Sequence, residues 1–373
     1  MRGISHRAAR GAAAVIAAVS LAACGGGVVF SGKDAVAAGS PENTPSGTIV
    51  ETGSTLLYPV MSTWAAAYQR QHPGTEVTVA ATGSGAGIAA ATAGKADIGA
   101  SDAYLASGDV VKNPALLNIP LAVSAQQVNY NLPEIAPGAH VRLDGTVLAG
   151  MFDGTITRWN DPAIRALNPG LALPGRAVVP VHRSDSSGDT FLFTSYLSTQ
   201  DPSWNDDIGY GTTVSWPAAA GALAGAHTSG ELAACKAHPG CVAYNGISYL
   251  NQARADGLGD AMLANAVGNY TLPAPGAIGA SVQAFVSITP PNETISLING
   301  PAAAGYPIVN YEYAVVSTRQ PDAARARALR EFLAWVIGTG NSAAFLGPVG
   351  FQPLPPAVAA LDRQQICQIG GGC

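Results

Sequence analysis

Three times along this chain a strand-like run ends in a short turn of Gly, Ser and Thr and passes at once into residues with helical spacing. The first begins at Thr48 to Glu51, turns through Ser54, Thr55 and Leu56, and continues with Leu57, Met61, Trp64 and Tyr68 at intervals of three and four. The second leads from Glu76 to Ala80 through Gly83-Ser84-Gly85-Ala86-Gly87 into an alanine-rich stretch closing near Gly94. The third leads from Ala177 to His182 through Ser187-Gly188-Asp189-Thr190 into an aromatic-rich helix, Phe191 to Leu197. Strands alternating with helices predict a mostly parallel α/β sheet, with ligands at the carboxyl ends of the strands. A length of 373 residues suits two such units. With 48% hydrophobic and only 12% charged residues, the chain is not kept unfolded by excess charge.

Further elements follow the same rhythm. Ala96 to Ala100 reads as a strand leading into Ser101 and Asp102, and Ile119 to Asn131 as an extended crossing segment. Thr146 to Phe152 and Pro162 to Leu167 read as helices, and Ile308 to Val316 as a strand with alternating tyrosines. Asp322 to Gly338 is an amphipathic helix whose stripe Leu329, Phe332, Leu333 and Val336 belongs in a core. Tyr306, Tyr311 and Tyr313 suit core or hinge packing better than ligand contact. The stretch from Asp201 to Gly305, rich in tryptophan and proline, reads as decoration of a second lobe.

The amino terminus fixes a compartment. Arg2, Arg7 and Arg10 precede an apolar run from Gly11 to Ala23, too short for a permanent membrane helix but suited to an export signal. Leu21-Ala22-Ala23-Cys24 resembles a lipobox, which would make Cys24 the acylated first residue of the mature chain. Acyl chains would then be the anchor, and residues 24–47 a flexible tether. Loss of residues 1–23 removes three of 19 basic residues and none of 24 acidic ones, leaving a charge of −8 and no case for a nucleic-acid partner. In an oxidising compartment the close pairs Cys235 with Cys241 and Cys367 with Cys373 suggest two local disulfides. Their spacing is not that of a zinc knuckle, so no metal is expected, nor any cofactor.

The three turns share one chemistry. The first amides of a helix lack internal partners and carry the positive end of its dipole, so hydroxyls and glycines there can surround an oxyanion. Singly such residues are also ordinary helix caps; together they point to an anion site. Gly83 to Gly87 is not a nucleotide loop, lacking both the following Lys-Ser or Lys-Thr and the full G-x-G-x-x-G pattern. There is no G-x-S-x-G elbow, and none of the six histidines has a nucleophile at readable spacing.

Five ordered motifs carry a family resemblance: Glu51 to Thr55 (ETGST), Gly94 to Asp102 (GKADIGASD), Phe152 to Asn160 (FDGTITRWN), His182 to Phe191 (HRSDSSGDTF) and Tyr306 to Tyr313 (YPIVNYEY). Between about Thr48 and Pro355 the chain resembles the phosphate-binding lipoproteins of the bacterial Pst import system, particularly their actinobacterial branch. The resemblance implies a two-lobed periplasmic-binding-protein fold of type II, each lobe a mixed sheet flanked by helices, with a two-crossing hinge. Lobe I would comprise residues 48–122 and 305–373, and lobe II residues 123–304.

By position, Ser54, Thr55 and Leu56 would form the first anion-binding turn, with the Thr55 and Leu56 amides and the Thr55 hydroxyl as donors. Ser84 would donate from the second turn, and Asp102 would accept the proton of the bound phosphate. Arg183 would pair with the ligand's oxygens, while Ser187 and the Gly188 amide donate. Asp189 stands where enteric relatives carry threonine; it would accept a second phosphate hydroxyl or face Arg183. Two blander roles stay open: Asp102 as a cap of the helix after it, and Arg183 in a surface pair with Asp185, which could instead orient Arg183 within the site. The implied partners are inorganic phosphate and an ABC permease, and the implied protein is a monomer, not an enzyme, on the outer face of the cytoplasmic membrane. A receptor for another oxyanion such as arsenate is the alternative from the same fold. A secreted phosphatase is the rival from a different class, and an adhesin displayed by its lipid a third option.

A carboxylate within an anion site repels its ligand unless the ligand brings a proton. Phosphate at neutral pH has one and sulfate does not, which would let Asp102 discriminate between them.

Overall fold

The computed structural model describes residues 47–373. The export signal, Cys24 and the tether up to residue 46 lie outside them, and the first strand already begins at Gly47, the last residue assigned to the tether. In chain order the strands are β1 (Gly47–Gly53), β2 (Thr75–Thr78), β3 (Ile98–Ser101), β4 (Leu116–Tyr130), β5 (Arg142–Leu143), β6 (Val179–Arg183), β7 (Leu223–Gly225), β8 (Cys241–Gly246), β9 (Gly259–Asp260), β10 (Met262–Ala264), β11 (Tyr270–Thr271) and β12 (Val309–Ser317). The helices between them are α1 (Tyr58–Gln71), α2 (Ser84–Thr92), α3 (Ser107–Lys112), α4 (Gly145–Asp153), α5 (Pro162–Leu167), α6 (Gly188–Gln200), α7 (Pro202–Asp207), α8 (His227–Ala237), α9 (Leu250–Ala255) and α10 (Pro275–Gln283). After β12 come α11 (Ala323–Ile337), α12 (Ala343–Leu346) and α13 (Pro356–Gln368).

A nine-stranded sheet runs in the order β2-β1-β3-β12-β4-β8-β6-β7, with β9 also pairing β4, and a three-stranded sheet runs β11-β10-β5. The main sheet is more mixed than strand–helix alternation predicts. Its flanks are parallel, β1 with β2 and β3 on one side and β6 with β7 and β8 on the other. Its centre is antiparallel, because the chain leaves the first group along β4 and returns to it along β12. The result is a two-lobed α/β arrangement whose halves share β4: its first part pairs β12 and its last part pairs β8.

Apolar periodicity builds both helices predicted to line the core. Leu57, Met61, Trp64 and Tyr68 at and along α1 are fully buried, as are Leu329, Phe332, Leu333 and Val336 of α11. Each such side chain contributes roughly 1.5–3 kcal/mol by leaving water. Asp322 caps α11 by accepting from the Arg325 amide at 2.8 Å. Tyr306, Tyr311 and Tyr313 are buried, and the Tyr306 hydroxyl donates to the Gln126 carbonyl at 2.8 Å.

The segment from Asp201 to Gly305 corrects its reading as decoration. It supplies β7 and β8 to the main sheet, and β8 is buried along its whole length between β4 and β6. Its alternation is invisible because a strand covered on both faces has no polar side. Cys235 and Cys241 form a disulfide, Cα–Cα 5.2 Å, joining α8 to β8; Cys367 and Cys373 form another, Cα–Cα 5.3 Å, at the chain end.

Candidate anion-binding site

The polar turns lie at the carboxyl ends of the strands that precede them. Ser54 and Thr55 follow β1, Ser84 opens α2, Asp102 follows β3, Arg183 ends β6 and Ser187 caps α6 by accepting from the Asp189 amide at 3.1 Å. Glycine allows the halves to meet. Gly83 has φ +94°, and a Cβ there would lie 2.7 Å from the Ser186 carbonyl and 2.8 Å from the Asp185 carboxylate. A Cβ on Gly188 would overlap the Asp102 carboxyl, so the start of α6 rests directly on that group. The Gly85 amide donates to the Ser186 carbonyl at 3.2 Å, a backbone bond between the α2 and α6 turns.

Arg183 is the hub. Its side chain is fully buried; Nε and Nη2 donate to the two Asp185 oxygens at 2.8 and 2.5 Å, a bidentate pair. Nη1 reaches Asp189 Oδ2 at 2.9 Å, Thr55 Oγ1 at 3.2 Å and Thr228 Oγ1 at 3.4 Å. The Thr55 and Thr228 hydroxyls are 2.7 Å apart. The pair with Asp185 therefore orients Arg183 inside the site and is not a surface contact, and Asp189 faces the same guanidinium. Burial opposes the charge on Arg183, but hydrogen bonding to Asp185 and the charges of Asp189 and Glu231 outweigh it and raise its pKa. Asp185 is pulled down despite burial by Arg183 and the His227 amide. The Arg183 amide donates to the Tyr244 hydroxyl at 3.0 Å, and the Tyr244 ring stacks on Phe193.

Asp102 is the second centre. The Ser54 hydroxyl donates to Oδ1 and the Ser84 hydroxyl to Oδ2 at 3.3 Å, while the Asp102 amide donates back to Ser84 Oγ at 3.2 Å. Asp102 caps no helix: the nearest, α3, begins only at Ser107 with Ala106 before it. Burial raises the Asp102 carboxyl, against hydrogen bonds from Glu312, Ser54 and Ser84 and the charge of Arg183. Burial and the Asp102 charge push Asp189 up to about 7, although Arg183, Gln126 and Thr228 pull the other way. Leu56 is buried, and its carbonyl accepts from Ser248 Oγ at 2.8 Å. Among the described residues, the amides of Thr55, Leu56 and Gly188 have no protein acceptor. Orphan donors, one guanidinium and an acid that accepts hydroxyl hydrogens are the chemistry that a small protonated oxyanion would need.

The site thus gathers Ser54, Thr55, Ser84, Asp102, Arg183, Ser187, Gly188 and Asp189 from turns up to 135 positions apart in sequence (54 to 189). Sequence reasoning missed Thr228, Gln126 and Glu312. Thr228 sits at a fourth strand–turn–helix junction, between β7 and α8, so the same rule that found the other turns would have found it. Gln126 donates to the Asp189 carbonyl at 2.7 Å and to its Oδ1 at 3.1 Å from the middle of β4, where no local pattern marks it. Glu312 stood between the two tyrosines of a motif already singled out.

A PBP superfamily domain model matches residues 38–339. The chain is 32% identical over 317 residues to a phosphate-binding protein PstS of Xylella fastidiosa, covering 85% of this chain and 84% of that one. It is 33% identical over 381 residues to a phosphate-binding protein PstS of Methanocaldococcus jannaschii, covering 95% and 93%. It is 32% identical over 359 residues to the phosphate-binding protein PstS 3 of Mycobacterium leprae, covering 91% and 94%. Among solved structures, the high-affinity periplasmic phosphate-binding protein PfluDING superposes with a TM-score of 0.66 at 21% identity, covering 87% of this chain and 99% of that one. A phosphate-binding protein of Stenotrophomonas maltophilia gives 0.65 at 20%, covering 86% and 94%. These likenesses carry the type II periplasmic-binding fold, and the sequence relatives carry the rest: the chain belongs to the PBP superfamily and, within it, to the family of PstS phosphate-binding proteins.

Proposed function

We propose that this protein captures inorganic phosphate outside the cytoplasmic membrane and passes it to an ABC permease, without covalent chemistry. The observation that carries the reading is the meeting of Asp102 and Ser84 from one half with Arg183, Ser187 and Gly188 from the other. In this reading lobe I is residues 48–122 with 305–373 and lobe II residues 123–304, and they close on the ligand about the two crossings. The Thr55, Leu56 and Gly188 amides and the Thr55 hydroxyl hold phosphate oxygens, and Arg183 supplies the balancing charge. Asp102 accepts the ligand's hydroxyl hydrogen. Sulfate offers none, so it would set acceptor against acceptor in a buried site.

Cys24 carries the lipid that keeps the receptor at the outer face, and the chain acts as a monomer. Titrating the protein calorimetrically with phosphate, sulfate and arsenate tests the reading. Saturable phosphate binding with no heat from sulfate is expected; equal binding of both, or hydrolysis of a generic phosphate ester, would overturn it.

A further inference from the structure

The anion site holds more acid than its single guanidinium can balance: Asp102, Asp185, Asp189, Glu231 and Glu312 all lie in the electrostatic neighbourhood of Arg183 or of one another. An anion enters such a place only if some of these carboxyls are neutral. Glu312 is the one whose surroundings read as those of a neutral acid. It is fully buried on β12. Oε1 is met by Asn310 Nδ2 at 2.8 Å and by Ser124 Oγ at 2.5 Å, whose one hydrogen has Asn310 Oδ1, at 2.7 Å, as its other acceptor. No donor reaches Oε2. Tyr313 pairs Ser101 across the antiparallel strands β12 and β3, which sets Glu312 beside Asp102, and Asn310 Nδ2 touches both the Asp102 carbonyl, at 3.4 Å, and Glu312 Oε1. Two neighbouring carboxyls can share a hydrogen only if one of them carries a proton. Asp102 has the better claim to the negative charge, since Ser54, Ser84 and Arg183 all stabilise it, whereas Glu312 has only neutral neighbours besides Asp102.

We propose that Glu312 is a positioning residue for the anion site: it holds a proton on Oε2, donates it to Asp102, and so keeps Asp102 an ionised acceptor for the hydroxyl of the incoming ligand. The inference rests on the phosphate-capture reading for its consequence but not for its chemistry. One oxygen accepting twice and the other donating is the pattern of a glutamine side chain as well as of a protonated glutamate. Glu312→Gln therefore preserves the arrangement. Glu312→Leu keeps the volume and removes the donor, so Asp102 itself takes up a proton, and its hydroxyl no longer rejects an anion that lacks one.

Two measurements on the full chain in detergent test this. The infrared difference spectrum between the wild type and Glu312→Gln at neutral pH should contain the C=O stretch of a protonated carboxylic acid in the wild type only. A carboxylate band in its place overturns the proposal, whether or not phosphate binds. In competition against labelled phosphate, Glu312→Gln should stay within about threefold of the wild type in affinity and in preference over sulfate. Glu312→Leu should lose about tenfold or more of both, the equivalent of one buried donor. Loss in Glu312→Gln as large as in Glu312→Leu, or no loss in either, sinks the assignment. Thermal denaturation checks that each variant folds; should Glu312→Leu not fold, the spectrum and Glu312→Gln still decide. A wild type that ignores phosphate sinks the functional reading instead, and the infrared result stands apart from it.

Discussion

Two pairs of buried acids lie beside β12, and they do different things. Asp102 and Glu312 shift one another next to Arg183, Ser54 and Ser84. Glu293 and Asp362 shift one another as well, but the donors around them are structural. Gln365 of α13 donates to Glu293 Oε2 at 2.6 Å, and the Glu293 carbonyl accepts from the Tyr313 hydroxyl at 3.1 Å. Burial raises both members of this second pair, Glu293 to about 7 although Asp362 and Gln365 pull the other way, and Asp362 well above its ordinary range. A buried acid with a shifted pKa is thus no mark of a ligand site by itself. What separates the pairs is the company: a buried guanidinium, orphan backbone amides, and turns from both halves of the molecule surround only the first, whereas the second has the exposed Arg363.

That contrast can be broken most forcefully at Arg183. Arg183→Met should abolish phosphate binding in equilibrium dialysis and cost roughly 3–5 kcal/mol in urea unfolding, because Asp185 and Asp189 lose their buried counter-charge. Retained binding would mean that the cation does not define the site. Asp102→Asn, measured by sulfate competition against labelled phosphate, should narrow the preference for phosphate by about thirtyfold, from an acceptor clash of roughly 2 kcal/mol. Unchanged competition removes Asp102 from its role. Thr228→Val takes one hydroxyl from Arg183 and Asp189, and about a tenfold weakening is expected in the same dialysis.

Glu293→Gln should leave phosphate affinity untouched and reveal itself only in stability. The unfolded side chain ionises near 4.5 and the folded one near 7, so the folded state keeps a proton that the unfolded state releases. The contribution of Glu293 to stability should therefore fall as pH rises between those values, by on the order of 3 kcal/mol, and level off above. Melting curves of the glutamine variant across the range should lack that share of the fall and keep the share of the other raised acids. A change in phosphate binding instead would erase the distinction between the two pairs.

Local pattern carried much of this molecule. α1, α5 and α11 were readable because their apolar residues or caps follow helical spacing, and β12 because its residues are extended and β-prone. The three polar turns were readable because hydroxyls and glycine at a strand–helix junction have few cheaper uses. The order of the sheet was not readable, since β4 and β12 lie together though some 190 residues apart (116 to 309), and pairing over that distance leaves no local trace. Nor was β8, whose apolar run lacks a polar face. Gln126 and Glu312 escaped for a related reason: a polar residue on a central strand announces itself only when the partner it faces is known.

The fifteen-residue strand β4 carries Ser124 toward Asn310 and Glu312, and two positions later Gln126 toward Asp189. Residues two apart on a strand share a face, and a slip of one reverses every side chain. A single deletion ahead of Ser124 would swing both groups away together while moving buried apolar side chains into their place. Loops around this strand are free to lengthen or shorten over evolutionary time. The strand acts as a fixed ruler, and descendants of this gene can vary its letters far more easily than its length.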